Sequence, residues 1–553
     1  MASTPIVILT LALLFISLPD ALANSKTDEG PQPTLQSSGP PINLACRATQ
    51  LPDLCKSSLS SKVAANAGAE EIIGAAMGLA SDGAKQTHLL SQNLLATSKY
   101  DANITAAAKN CVEFADSSLA LILKSSAALG VEQRIKDVKA WMSAALAYVY
   151  DCSSDLRYVN TTHKISTIIQ QVDWVTNFTS NALSMVDALD TYGKDMVLWR
   201  PPTTERSANP SSTAHYYRLP NKNWDWDVLE VDELVPNITV SKLDHKSSIS
   251  SIQQAVNSAP DYSEKRFVIK IEAGVYEERV RIPRSKTNLM FEGAGMDTTV
   301  ITGSAYVPRL PGPVTIYDVA TVGVNGDGFI ARGITFRNTF LGPRTHQAVA
   351  LRVDSDFSAF YSCAFESHQD TLYTHTLRQF YKNCRIEGTH DFIFGNAAAL
   401  FHNCSILVRP RQLKSNSGED DPITAQGRTD PAQSTGLVFQ HCTVDGTKEY
   451  RKDFSSNPSA HKVYLGRPWK MYSRTVFLNS YLGKLVRPEG WMPWNGTFAL
   501  DTLFYGEYRN YGFGAKVSGR VPWSNQISEL NVGLYSVPSF IQGHEWLPST
   551  DST

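Results

Sequence analysis

Five short segments in the C-terminal part of this chain share one frame. They are FYSCAF, FYKNCRI, LFHNCSI, VFQHCTV and VFLNSYL, with Cys363, Cys384, Cys404, Cys442 and Ser480 in the same slot. The cysteine spacings are 21, 20 and 38, with a further 38 to Ser480. The longer intervals read as near-doublings of a basic step of about 20. GITFRNT, at Asn338, fits the frame more loosely. Short Val/Ile/Phe runs broken by Gly and Asn at this period mark a parallel β-helix, whose coils bury their apolar faces on one another. Stacked coils lie ~4.8 Å apart, so the repeated cysteines are expected to form an interior ladder of small side chains. Disulfides between neighbouring rungs are the alternative.

That period turns distance along the chain into contact in space. In SHQDTLYTHTLRQFYKNCRIEGTHDFIFGN, residues 367–396, Asp370 and Asp391 are 21 positions apart, one coil. They should project side by side from neighbouring strands, roughly 5 Å apart. Gln347, in HQAVAL, precedes Gln369 by 22 positions, again one coil. Two such close carboxylates cannot both ionise comfortably, so one keeps its proton and the pair holds an acid and an anion. Those are the species that general acid and nucleophile or base roles require. Glutamine amides can donate to an oxyanion without carrying charge. No G-x-S-x-G and no H-E-x-x-H occurs. Spacing alone leaves several readings open: nucleophilic ester chemistry, retaining glycoside hydrolysis, calcium coordination for a lyase, or plain capping of coil turns.

The first part of the chain follows another rule. At 553 residues the chain is too long for one ordinary core. Residues 40–198 hold Ala/Leu-rich stretches such as AANAGAEEIIGAAMGLA, NCVEFADSSLALILKSSAALG and VKAWMSAALAYVYDC, with apolar residues every three to four positions. An antiparallel helical bundle is expected. Cys46 and Cys55 could staple a short hairpin, and Cys111 and Cys152 could tie two long helices; no Cys/His cluster with metal-ligand spacing accompanies them. Residues 199–235 are rich in Pro, Ser and Asn, lack periodicity and read as a linker, and a second domain is expected over 236–545.

The N-terminus reads PIVILTLALLFISLPDALANS: an apolar run of about a dozen residues before Ala21-Leu22-Ala23, which predicts a signal peptide over 1–23, although its leading segment has no Lys or Arg. No later stretch reaches the ~18 apolar residues a membrane span needs. Six N-x-Ser/Thr sequons, at Asn103, Asn160, Asn177, Asn237, Asn403 and Asn495, and eight cysteines fit an exported, disulfide-bonded glycoprotein. The net charge of −2 argues against a dedicated nucleic-acid binder. From Pro236 onward Lys+Arg minus Asp+Glu is 33 − 29 = +4, leaving −6 for the chain before it. So slight an excess suits an acidic polymer without demanding one.

The C-terminal part resembles plant pectin methylesterases. The segments that carry the resemblance are GVYEE (274–278), QAVAL (347–351), QDTLY (369–373), DFIFG (391–395) and LGRPW (465–469), followed by GWMPW around Trp491 and FALDTLFYGEY (498–508). The resemblance implies a right-handed parallel β-helix that hydrolyses methyl esters of homogalacturonan, releasing methanol. It assigns Asp391 as nucleophile, Asp370 as the protonated partner, Gln347 and Gln369 as oxyanion donors, and Arg467 as the cation orienting Asp391. Gln347, Arg467, Tyr373, Phe394, Trp469 and Trp491 would bind the sugar chain, and no cofactor or metal is implied. Rival expectations are a polysaccharide-binding protein that keeps the fold without activity, and a calcium-dependent lyase.

ACRATQLPDLCKSSL and AWMSAALAYVYDC resemble the pectinesterase-inhibitor domain, a four-helix bundle. That resemblance pairs Cys46 with Cys55 and Cys111 with Cys152, and implies a pro-region that restrains the enzyme or assists its folding. The expected protein is secreted to the cell wall and monomeric, with pectin and inhibitor-type proteins as partners. Relatives often carry a dibasic processing site where this linker has HYYRLPNK (215–222). His368 and His390 stand where relatives commonly have Tyr and Val. If either imidazole faces the dyad it alters the carboxyl pKa values; if it faces solvent it does not.

Overall fold

Successive coils of the C-terminal part stack their strands into three all-parallel sheets of 11, 8 and 7 strands, the longest sheet running on past the other two at its ends. The computed structural model describes residues 39–131, 133–206, 235–242, 249–308, 314–341, 346–411 and 419–547; the expected signal peptide and most of the expected linker lie outside them. The fold is the expected right-handed parallel β-helix, preceded by a helical bundle, and the described residues from Pro40 onward form one compact unit.

The repeated frame is the helix interior. Three positions before each cysteine slot, Phe360, Tyr381, Phe401, Phe439 and Phe477 stack face to face with centroids 4.8, 4.6, 4.6 and 4.4 Å apart. The residue just before each slot (Ser362, Asn383, Asn403, His441 and Asn479) has φ between 48° and 55°. This left-handed corner turns the chain from one sheet to the next, and Asn tolerates it better than most residues. Cys363, Cys384, Cys404 and Cys442 are buried and free, so they form a ladder without bridges.

Two expectations need correction. Both intervals of 38 are single coils, because Ala398 pairs with Gly436 and Leu437 with Thr475. The additional length lies in a longer strand of the 7-stranded sheet, its flanking loops and a helix at Lys448–Ser456. Asn338 also misses the slot: Ala364 pairs with Thr335, which puts Ile334 beside Cys363.

The 7-stranded sheet positions the site. Its strands are β1 (Val280–Ile282), β2 (Val322–Val324), β3 (Leu351–Val353), β4 (Leu372–Thr374), β5 (Ile393–Gly395), β6 (Glu419–Gln426) and β7 (His461–Pro468), stacked in chain order.

The N-terminal part begins with two short helices, α1 (Pro41–Cys46) and α2 (Pro52–Leu59). Four long ones follow: α3 (Ala69–Thr97), α4 (Ala102–Ala128), α5 (Ile135–Tyr158) and α6 (His163–Tyr192). Asp101 caps α4 by accepting from the Asn103 and Ile104 amides, and Thr162 caps α6 by accepting from Ile165. Gly83 lets α3 and α6 touch, since a Cβ there would stand 2.6 Å from a methyl of Val175. Disulfides join Cys46 to Cys55 and Cys111 to Cys152, the second tying α4 to α5. Residues 140–149 of α5 are buried without a break, because α5 lies between its neighbouring helices and the β-helix. At this seam Trp141 Nε1 donates to Asp356 at 2.9 Å, and Arg378 pairs with Asp137 at 2.6 Å and with Asp356 at 2.7 Å.

Candidate active site

Asp370 and Asp391 lie two positions before β4 and β5, whose register pairs Leu372 with Ile393 and so brings the carboxylates to adjacent coils. Both have positive φ, 63° and 50°, a conformation that aspartate tolerates and β-branched residues do not. The Asp370 amide donates to the His390 carbonyl at 3.3 Å, and the Asp391 amide to the Pro422 carbonyl at 2.7 Å. Gln347 and Gln369 face each other in an isolated parallel bridge. Arg467 sits on β7, in one column with Phe394 and Ala425. Alanine between them leaves the arginine room to reach back to Asp391: Nε donates to Oδ1 at 2.9 Å and Nη2 to Oδ2 at 2.6 Å.

The two carboxyls are equally buried and electrically opposite. Burial, then the neighbouring Asp391 charge, push Asp370 well above the usual carboxylate range. Burial acts the same way on Asp391, but His390 and Arg467 outweigh it and hold that carboxyl low. The opposite shifts make Asp370 the member of the pair that holds a proton more readily and Asp391 the one that ionises first. His368 is pushed down to about 4 by burial and the nearby Arg409, so it is neutral there.

The expected aromatic platform divides. Tyr373 and Phe394 stack with centroids 4.3 Å apart, and Trp469 meets Phe394 edge-on at 6.0 Å. Gly427 makes way for that indole, since a Cβ would stand 2.9 Å from its ring. Trp491 does not belong with them: it is 1% exposed, stacks on Tyr505 at 4.4 Å and donates to Glu507 within the core. Its neighbour Trp494 is 37% exposed and lies over the Arg467 guanidinium at 4.2 Å. Tyr373 and Phe394 are themselves only 3% exposed. Ala147, Tyr150 and Asp151 of α5 face Tyr373 and Trp469 across a cavity of about 10 Å³, room for about one water and no sugar ring.

Two further residues join the site without having been expected there. His375 pairs with Asp354 and, at 2.6 Å, with Asp151 of α5. Strand alternation was the available signal, since His375 lies two positions after Tyr373 and shares its face. Arg411 touches His390, but nothing local in the sequence marks it.

Residues 237–544 match the Pectinesterase family, and residues 41–185 match the family described as plant invertase/pectin methylesterase inhibitor. A probable pectinesterase/pectinesterase inhibitor 64 from Arabidopsis thaliana is 46% identical over 519 residues, covering 92% of this chain and 85% of the relative. Pectinesterase 1 from Citrus sinensis is 38% identical over 525 residues, covering 92% and 87%. The solved pectin methylesterase from carrot superposes with a TM-score of 0.53 at 46% identity, over 57% of this chain and 95% of that one.

Proposed function

The chain belongs to the pectinesterase family, and from that premise we propose that it hydrolyses methyl esters of homogalacturonan with Asp391 as nucleophile and Asp370 as acid and base. The observation that carries this reading is the pair of adjacent buried carboxyls, one shifted to ionise first and the other to hold its proton. An Asp391 oxygen attacks the ester carbonyl, and the Gln347 and Gln369 amides donate to the resulting oxyanion. Collapse breaks the bond to the methoxy oxygen as Asp370 gives it a proton, so methanol leaves and an acyl-enzyme anhydride remains. Asp370, now a carboxylate, takes a proton from water, which attacks the acyl carbon and restores both aspartates. Arg467 keeps the nucleophile charged and aimed.

Methanol release from esterified pectin tests the assignment. Asp391→Asn should abolish it while the fold persists; full activity in that variant sinks the assignment. The inhibitor-type bundle is proposed to restrain the enzyme, since α5 fills the space beside Tyr373 and Trp469 where a sugar would stack. Export to the cell wall is the compartment this substrate implies.

A further inference from the structure

The dyad stands where the chain enters the 7-stranded sheet. Where the chain leaves that sheet, the corner loops enclose a separate cavity of about 410 Å³. Arg266, Asn288, Asp327 and Phe357 line it from four successive coils, each close before its strand of the 11-stranded sheet. Tyr262 and Trp546 complete its wall. The strand after Arg266 is four places along that sheet from the strand Arg378–Lys382 in the coil of Asp370. At ~4.8 Å per coil, Arg266 is ~19 Å from that coil along the helix axis.

Arg266 is the charged centre of the cavity. Its Nη1 donates to the carbonyls of Gly328 and, at 3.4 Å, of Leu289, which fixes the guanidinium plane. Among the described residues Nε and Nη2 have no partner, and no carboxylate pairs with the group. Lys124 of α4 is paired with Asp327 at 3.0 Å, and Glu264 is exposed to solvent. Burial lowers Arg266 to about 10, with Tyr361 opposing, so it is a cation at neutral pH. A largely buried guanidinium without a counter-charge is costly. Its free edge, Nε with Nη2, is the edge that Arg467 presents to the Asp391 carboxylate. That edge fits a second carboxylate through two parallel hydrogen bonds.

Aromatic rings share the cavity with this cation. Trp546 is anchored by its indole N–H, which donates to the Ile541 carbonyl at 2.7 Å, and its ring lies 5.5 Å from Phe357. Tyr262 is 73% exposed and has φ 53°, held by its amide, which donates to the Ser285 carbonyl at 2.6 Å. A bulky side chain at positive φ is an outlier, and burial does not offset its cost here.

We propose that this cavity is a second binding site for galacturonate: Arg266 takes the carboxylate through Nε and Nη2, and Tyr262 and Trp546 take the apolar face of the sugar ring. Its volume lies within the range of small-ligand sites. The choice of a uronate rests on the esterase reading, whose product is a chain of free carboxylates. Pectin that the enzyme has already de-esterified would bind here and hold the enzyme on the polymer.

Calorimetric titration of the full chain with trigalacturonate tests the site. A neutral galactose trimer should bind at least about tenfold more weakly. Arg266→Gln should also lose at least about tenfold, and Arg266→Lys, which keeps the charge without the fork, less than that. Tyr262→Ala, at an exposed ring, should weaken binding a few-fold with an unchanged melting temperature, and it decides the matter if Arg266→Gln fails to fold. Arg467→Gln, in the catalytic site, should bind like wild type. Absence of binding to wild type overturns the proposal, as does equal affinity for the neutral trimer. So does a loss in Arg467→Gln with none in Arg266→Gln, which would place the ligand in the catalytic cleft. Binding that depends on Arg266 in a protein that releases no methanol would keep this site and sink the esterase reading. Methanol release without such binding would do the reverse.

Discussion

Asp370 and Asp391 occupy the left-handed backbone region at matching points of adjacent coils, where an asparagine fits and an alanine costs about 1 kcal/mol. Substitution by Asn therefore removes the charge without disturbing the turn. Asp370 is held protonated by burial and by its ionised neighbour, so its folded pKa lies above its unfolded one. That relation contributes stability below the ordinary carboxylate range, which is lost as pH rises through the folded value. Asp370→Asn should consequently melt higher than wild type at alkaline pH, while methanol release falls by roughly 10²–10⁴-fold with loss of its acid catalyst. Thermal melts at pH 6 and 9 read the first effect: an Asn variant no more stable than wild type at pH 9 would contradict the raised pKa. The wild-type kcat/KM should be bell-shaped, and both limbs belong to the dyad rather than to either residue.

At the scale of a coil, stability resides in the stacked interior. Phe401 lies between Tyr381 and Phe439 at 4.6 Å on each side, with no exposed surface. Truncation to Ala should cost about 3–5 kcal/mol, and Phe401→Leu distinctly less, because the cavity is mostly filled. Denaturant unfolding of the two variants checks the order; equal losses would mean that the ladder relaxes around either change. The same coils explain what the sequence disclosed. The adjacency of Asp370 and Asp391 was legible because a single coil of the basic length separates them. Arg467 was not legible from spacing: Phe394 pairs with Ala425 and Ala425 with Arg467, so two lengthened coils intervene. Inserted loops lengthen those coils without altering the ladder, which is also why single coils looked doubled. Arg467 emerged from its motif instead. GWMPW holds two tryptophans three positions apart, and local pattern cannot say which faces inward. Trp491 does, because its indole N–H finds Glu507 in the core, and Trp494 remains outside over Arg467.

Across the whole molecule, the seam between bundle and β-helix depends on buried ionisable groups. Burial pushes Asp155 of α5 up to about 7, with the Asn110 hydrogen bond pulling the other way. Burial lowers the pKa of His375, but Asp354 and Asp151 outweigh it and push it up to about 9. Both groups favour the docked state in their protonated forms. Relative to a separated bundle, the Asp155 contribution is complete below about 4 and lost as pH rises through about 7. His375 keeps Asp354 beside it when the bundle leaves, so only its pairing with Asp151 counts here; that part is present at low pH and lost as pH rises through about 9. Asp354, Asp356 and Glu205 have lowered values, so their contributions fail only at the acid end. Glu205 matters further because it lies beyond the bundle on the strap that leaves it, 2.5 Å from Arg474 and 3.6 Å from Arg428. A cut placed within 207–234 leaves that strap attached to the bundle, so cutting the chain there is not expected to release it. With a protease site inserted in that interval, the two fragments should co-elute on size exclusion at pH 5.5. At pH 9 their affinity should be weaker by at least about tenfold, since each pH unit between a group's free and docked values changes the equilibrium up to tenfold. Asp155→Asn should flatten the lower part of that dependence and leave the part above pH 7 to His375. Equal dissociation at pH 5.5 and 9 would show that the seam is held by its apolar contacts, Trp141 and Leu377 first among them.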